Sequence, residues 1–181
     1  MSGPLLGPGQ PVHPSGRVPG LRGTAGPDAS SAPIRLRTVE DTRALGTQLA
    51  GLLRAGDLVV LSGPLGAGKT VLVQGIGAGL GVRGPIVSPT FVIARVHRGP
   101  LPLVHVDAYR LGSLAEVDDL DLDVDTAEAV TVVEWGSGLV EQLADSRLEV
   151  ALAREADTEV RTARLFAHGG DWAARLAPFT E

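Results

Sequence analysis

Gly63-Pro64-Leu65-Gly66-Ala67-Gly68-Lys69-Thr70 places three glycines, a lysine and a threonine at the spacing G-x-x-x-x-G-K-[ST]. Those residue types at that spacing make a phosphate cradle. Gly63, Gly66 and Gly68 permit a backbone path on which successive N–H groups converge on one anion. A helix beginning near Lys69 adds the positive end of its dipole to the same point. Lys69 supplies a compact ammonium for the β- and γ-phosphates, and the Thr70 hydroxyl is suited to a magnesium ion. Of the 16 basic residues 15 are arginine, so Lys69 is the only lysine of the chain. Arginine has replaced lysine everywhere except where a planar guanidinium is too bulky for the loop.

The elements needed to position this loop are legible around it. Residues 57–62 (DLVVLS) form a short apolar run that reads as a buried strand, and residues 69–80 read as a helix closed by Gly81. Upstream, residues 34–37 alternate like a strand, and Thr38 with Asp41 makes a capping box. A helix follows, with Leu45, Leu49, Leu52 and Leu53 on one stripe and Gly56 as its end. Strand–helix–strand–loop–helix predicts an α/β core on a mainly parallel central sheet. Residues 91–96 and 101–106 predict a hairpin across His97-Arg98-Gly99-Pro100. Residues 129–133 predict a central strand, 147–153 and 159–167 a second hairpin, and 139–144 and 172–176 short helices. The acidic segment 113–125 reads as partly helical and exposed. Residues 1–33 hold 7 Pro and 7 Gly with three charges and no periodicity, and are expected to be a disordered extension of a domain spanning 34–181.

A phosphate loop requires a carboxylate at the C-terminal end of a neighbouring strand. Glu134 ends Val130-Thr131-Val132-Val133, and Asp107 ends Leu103-Val104-His105-Val106. Both are candidates to act at the metal or the attacking water. Ser88-Pro89-Thr90 stands where nucleotide switches sense a terminal phosphate, which makes Thr90 a candidate contact, although a plain Ser-Pro turn reads equally well. His105 reads as a structural histidine. The run Glu116, Asp118, Asp119, Asp121, Asp123 and Asp125 lacks the glycine and terminal glutamate of a calcium loop and reads as a solvated or partner-facing surface.

Composition narrows the classes further. The chain has 181 residues, 44% hydrophobic and only 3% aromatic, which predicts one domain with an aliphatic core. Absence of cysteine excludes disulfides and thiol catalysis and fits a cytoplasmic setting. No signal peptide and no membrane-spanning run is expected. A net charge of -5 argues against gripping nucleic acid unaided.

Taken in order, GPLGAGKT, SPTF, HVDAYRL and VVEWG resemble the TsaE (formerly YjeE) family, the small bacterial ATPases of tRNA threonylcarbamoyladenosine biosynthesis, over roughly residues 34–167. The resemblance implies a P-loop NTPase fold whose mixed sheet carries antiparallel strands at both sides and helices on both faces. It implies ATP and Mg²⁺ as cofactors and a threonylcarbamoyl transferase heterodimer of TsaB and TsaD type as partner, with tRNA reached only through that complex. The modified nucleoside would be adenosine 37. It further implies that the segment Gly66, Ala67, Gly68, Lys69, Thr70 and Val71 binds ATP, and Gly63 and Leu65 of the same loop are candidate contacts beside it. Val39 would touch the nucleotide, Thr70 and Glu134 would ligate Mg²⁺, and Asp107 would serve catalysis with Glu134 and Lys69. Pro64, Val71 and Ala108 stand where the family usually has Asp, Thr and Leu. Two alternatives stay open, a small-molecule kinase and a nucleotide-dependent binding switch without turnover. A kinase would need an arginine-rich lid, and residues 111–130 contain no arginine. A GTPase is disfavoured because the chain has no Asn and no second Lys for guanine selection.

Overall fold

A computed structural model describes residues 26–89, 93–108, 125–134, 145–156 and 158–180. In chain order the elements are β1 (Ala29–Ser30), β2 (Ile34–Leu36), α1 (Val39–Ala50), β3 (Leu58–Ser62), α2 (Lys69–Gly79), β4 (Ala94–His97), β5 (Leu103–Asp107), β6 (Val130–Glu134), β7 (Arg147–Arg154), β8 (Arg161–His168) and α3 (Trp172–Leu176). All eight strands join one sheet in the order β1-β8-β7-β3-β6-β5-β4, with β2 also on the outer edge of β8. Strands β5, β6, β3 and β7 run parallel at the centre. Antiparallel β4 and β8 flank them, as the two sequence hairpins require. The expected parallel centre with antiparallel flanks is the architecture found.

Alternation along the strands divides the sheet into two faces. Val59, Leu61, Val130, Val132, Leu148, Val150, Leu152, Ala163 and Leu165 join the larger core with Leu45 and Leu49 of α1, Leu72, Val73 and Ile76 of α2, and Trp172 and Leu176 of α3. Val60, Val104, Val106 and Val133 point the other way into a smaller cluster that contains no residue of the three helices. The resemblance implies helices on both faces. Those described pack on one, and residues 113–124 and 139–144, whose sequence reads as helical in part or whole, lie outside the described residues.

Two local devices set where α1 and α2 begin and end. Thr38 Oγ1 accepts from the Asp41 N–H at 3.0 Å while Asp41 Oδ2 accepts from the Thr38 N–H at 3.0 Å, the reciprocal cap seen in the sequence. At the end of α2, Gly81 donates to Ala78 O at 3.2 Å and Val82 to Gly77 O at 2.9 Å, with Gly81 at φ 73°. That is a Schellman closure, and it requires a residue free to turn left-handed. Helix α1 stops at Ala50 rather than at Gly56, so Leu52 and Leu53 lie past its end. Gly56 serves instead as a turn whose N–H donates to Ala129 O at 2.8 Å.

The boundary of the N-terminal extension needs correction. Residues 1–25 lie outside the described residues, but 26–33 are tied to the sheet. Asp28 N–H donates to Ala167 O at 2.8 Å and Ser31 N–H to Leu165 O at 2.9 Å, and Ser31 is buried. Composition does not reveal this because the partner is the open backbone edge of β8, whose donors and acceptors must be met. Among the described residues no helix is long and apolar enough to cross a membrane.

Two histidines at strand ends tie stability to pH. Burial lowers the His97 pKa, with His105 and Arg95 adding to the effect. Burial likewise lowers that of His168, reinforced by Arg147 directly opposite it on β7. Below the ordinary value of 6.5 the unfolded chain takes up protons that the native histidines resist. Stability is therefore fully present above about pH 6.5 and falls as pH drops below it. Urea midpoints at pH 7.5 and 5.5 should show a loss that shrinks in His97→Leu; an equal loss in that variant refutes the assignment.

Candidate active site

Strand β3 delivers the chain into the loop and α2 carries it away, so residues 63–68 curl over the sheet's C-terminal edge. Gly63 has φ 142° and passes so close to β7 that a Cβ would lie 2.3 Å from Leu152 O. Lys69, the first residue of α2, is buried, and its Nζ donates back to Gly63 O at 2.7 Å and Pro64 O at 3.1 Å. Burial lowers the pKa of this ammonium, while the Glu134 and Asp107 carboxylates work in the opposite direction. Such an ammonium is a donor of the kind that pairs strongly with anionic oxygens.

The parallel register supplies the carboxylates. Asp107 and Glu134 end adjacent strands as direct neighbours, and by alternation they share the helix-bearing face with Leu103 and Val132. Both are buried. The Thr70 hydroxyl donates to Glu134 Oε1 at 3.2 Å, joining the first turn of α2 to the end of β6. His105 lies diagonally beside Glu134 on the same face, its Nε2 2.8 Å from the same oxygen.

A third contribution comes from the far hairpin. Arg154 and Arg161 are direct cross-strand neighbours at the turn end of the β7–β8 hairpin. Glu159 lies between them, 2.7 Å from Arg154 Nη2 and 3.5 Å from Arg161 Nη2. Arg161 is buried, its Nε has no hydrogen-bond partner among the described residues, and its side chain packs over Gly68 closely enough that a Cβ there would meet Nε at 3.1 Å. The cavity these elements enclose measures about 410 Å³ and is lined by Leu65, Gly66, Gly68, Lys69, Thr70, Val71, Ser88, Glu134 and Arg161.

Several expected residues therefore converge: Gly66, Gly68, Lys69, Thr70 and Val71 of the loop with Glu134. Asp107 is beside Glu134 but does not line the cavity. Leu65 is 90% exposed at its rim, whereas the Ala67 side chain is in the core. Val39 begins α1 and does not line the cavity; Thr42, one turn on, does approach the loop, its methyl 3.5 Å from where a Cβ on Gly68 would lie. Thr90 lies outside the described residues, as do Trp135 and the acidic positions 116–123. Arg164 is exposed beside Phe166, away from the cavity.

Two residues escape the sequence reading. Arg161 starts an inward row with Ala163, Leu165 and Ala167, and a charge at the head of a buried row is the available signal. His105 reads as purely structural, although alternation puts it on the face of Asp107. Among the described residues no three His, Asp or Glu side chains form a metal cage. Thr70 and Glu134 are nonetheless hard oxygen donors in contact on one cavity wall, which suits Mg²⁺, an ion held by one or two protein oxygens together with substrate phosphates.

Known proteins resemble this chain in sequence and fold. The family model of threonylcarbamoyl adenosine biosynthesis protein TsaE matches residues 36–163. The tRNA threonylcarbamoyladenosine biosynthesis protein TsaE of Streptomyces coelicolor is 60% identical over 139 residues, 72% of this chain and 93% of that protein. The protein of the same name from Bacillus subtilis is 39% identical over 130 residues, 70% and 81% of the two chains. The crystal structure of Bacillus subtilis YdiB superposes with a TM-score of 0.69 at 30% identity, covering 83% of this chain and 94% of that one. Loop, strand-end carboxylates and the central strands all fall inside the matched span, and the chain belongs to the TsaE family.

Proposed function

We propose that this protein is the Mg²⁺-dependent ATPase of tRNA threonylcarbamoyladenosine formation, working with a transferase heterodimer of TsaB and TsaD type. The supporting observation is the meeting of Lys69, Thr70, Glu134 and Arg161 around one cavity of about 410 Å³ at the head of a complete phosphate loop, in a chain whose relatives carry that biosynthetic name. Loop N–H groups and the α2 N-terminus orient the phosphates, and Lys69 and Arg161 offset their charge. Thr70 and Glu134 would hold Mg²⁺, which when bound neutralises phosphate oxygens. Asp107, next to Glu134 and within the field of Lys69, would act through its charge and by holding water beside the site. The site is open at Leu65, which leaves room for a partner to complete it.

The deciding experiment is ATP turnover by the full chain with and without Mg²⁺ and the transferase heterodimer. Weak magnesium-dependent turnover that rises with the partners is expected, and Glu134→Ala and Asp107→Ala should each lower the stimulated rate about 100-fold. Rates within twofold of wild type in both variants would sink this reading. Turnover requiring a small-molecule acceptor would indicate a kinase, and tight ATP binding without turnover a switch.

A further inference from the structure

We propose that His105 is a positioning residue for Glu134, fixing the carboxylate so that it presents its outer oxygen to the magnesium–nucleotide site; the inference rests on the ATPase reading above. Glu134 Oε1 receives two donors, the Thr70 hydroxyl at 3.2 Å and His105 Nε2 at 2.8 Å. His105 is 0% and the Glu134 side chain 5% exposed, so water does not compete for this contact. An accepting carboxylate oxygen requires the histidine proton on Nε2. The other ring nitrogen, Nδ1, is buried without a hydrogen-bond partner among the described residues, so the contact to Glu134 alone selects the tautomer.

The histidine sits on an internal strand of the sheet. β5 is paired on both sides, with His105 opposite Arg95 on β4 and Val132 on β6. The His97 ring packs beside it, centroids 6.3 Å apart. Glu134, by contrast, ends its strand and has a flexible side chain whose ordering carries an entropic penalty. A rigid donor that orients a metal-binding carboxylate has a characteristic effect: its loss weakens the metal more than it weakens the fold.

Two variants separate this role from packing. Gln carries a donor where His has Nε2, whereas Leu fills similar volume without one. ATP binding to the full-length protein would be measured across Mg²⁺ concentrations and without metal. His105→Leu should raise the Mg²⁺ needed for half-maximal tightening about tenfold, with metal-free ATP affinity unchanged. His105→Gln should stay within threefold of wild type. Equal shifts in both variants, or a shift in metal-free binding, would assign His105 to packing and overturn the proposal. If wild type itself ignores Mg²⁺, the ATPase reading falls and this one with it; a magnesium-dependent wild type with an unshifted His105→Leu overturns the His105 role alone. Should His105→Leu not fold, ¹⁵N NMR of the wild-type imidazoles decides. A His105 ring protonated on Nε2 that loses this preference in Glu134→Ala supports the proposal, and one protonated on Nδ1 overturns it.

Discussion

Lys69→Arg is expected to bind ATP about 100-fold more weakly than wild type, close to the loss in Lys69→Ala, although it conserves the charge. The Lys69 ammonium is buried inside the curl of the loop, where Gly63 O and Pro64 O accept from it at 2.7 and 3.1 Å. Those two acceptors fit a compact, rotatable donor at the end of a flexible stem. A guanidinium is wider, carries its donors in a fixed plane and would push against a loop already within backbone contact of Leu152. Arg161 cannot substitute, because its guanidinium is anchored by Glu159, donating to Glu159 O at 2.8 Å, and does not occupy the position of the Lys69 ammonium inside the loop. Titration calorimetry with ATP, beside a melting curve showing that the fold is retained, would measure this. Binding by Lys69→Arg within threefold of wild type would show that charge alone suffices.

Gly75→Ala is expected to destabilise the protein by about 3 kcal/mol, against the general rule that Ala strengthens a helix interior relative to Gly. A Cβ at position 75 would lie 2.1 Å from Arg43 O, and one at Gly46, on the facing helix, 2.3 Å from Leu72 O. Backbone meets backbone at this crossing, so no side chain can turn aside and the helices must separate. The Thr47 hydroxyl lies 3.1 Å from Gly75 O and 3.2 Å from Arg43 O, and separating the helices would leave it only the acceptor in its own helix. Since α2 begins with Lys69 and Thr70, separating it from α1 also displaces the ligands of the loop. Gly51→Ala is the control, a helix cap in ordinary right-handed geometry, and should change stability by no more than about 0.5 kcal/mol. Urea titrations of the three proteins settle the matter; equal midpoints for Gly75→Ala and wild type would refute the close-contact account.

Much of the site is legible in the sequence because its determinants are local. The loop glycines, Lys69 and Thr70 are close neighbours in the chain, and a phosphate cradle is a property of eight adjacent residues. The Thr38–Asp41 cap and the Gly81 closure are settled within one turn of backbone. Asp107 and Glu134 stand out because each follows an apolar run, and the ends of such runs in a parallel sheet share an edge. Every relation across the chain, by contrast, is tertiary. That β5 and β6 are neighbours in a register that brings Asp107 beside Glu134 and His105 diagonal to it depends on sheet order, which no short pattern encodes. Arg161 is far from Lys69 in the chain and reaches the loop only because β8 folds back on β7 beside β3. Residues 26–33 read as extension because their bonds go to the backbone of β8, and backbone pairing leaves little trace in side-chain composition. Adjacent residues dictate which chemical groups are present; packing and register dictate which of them share one cavity.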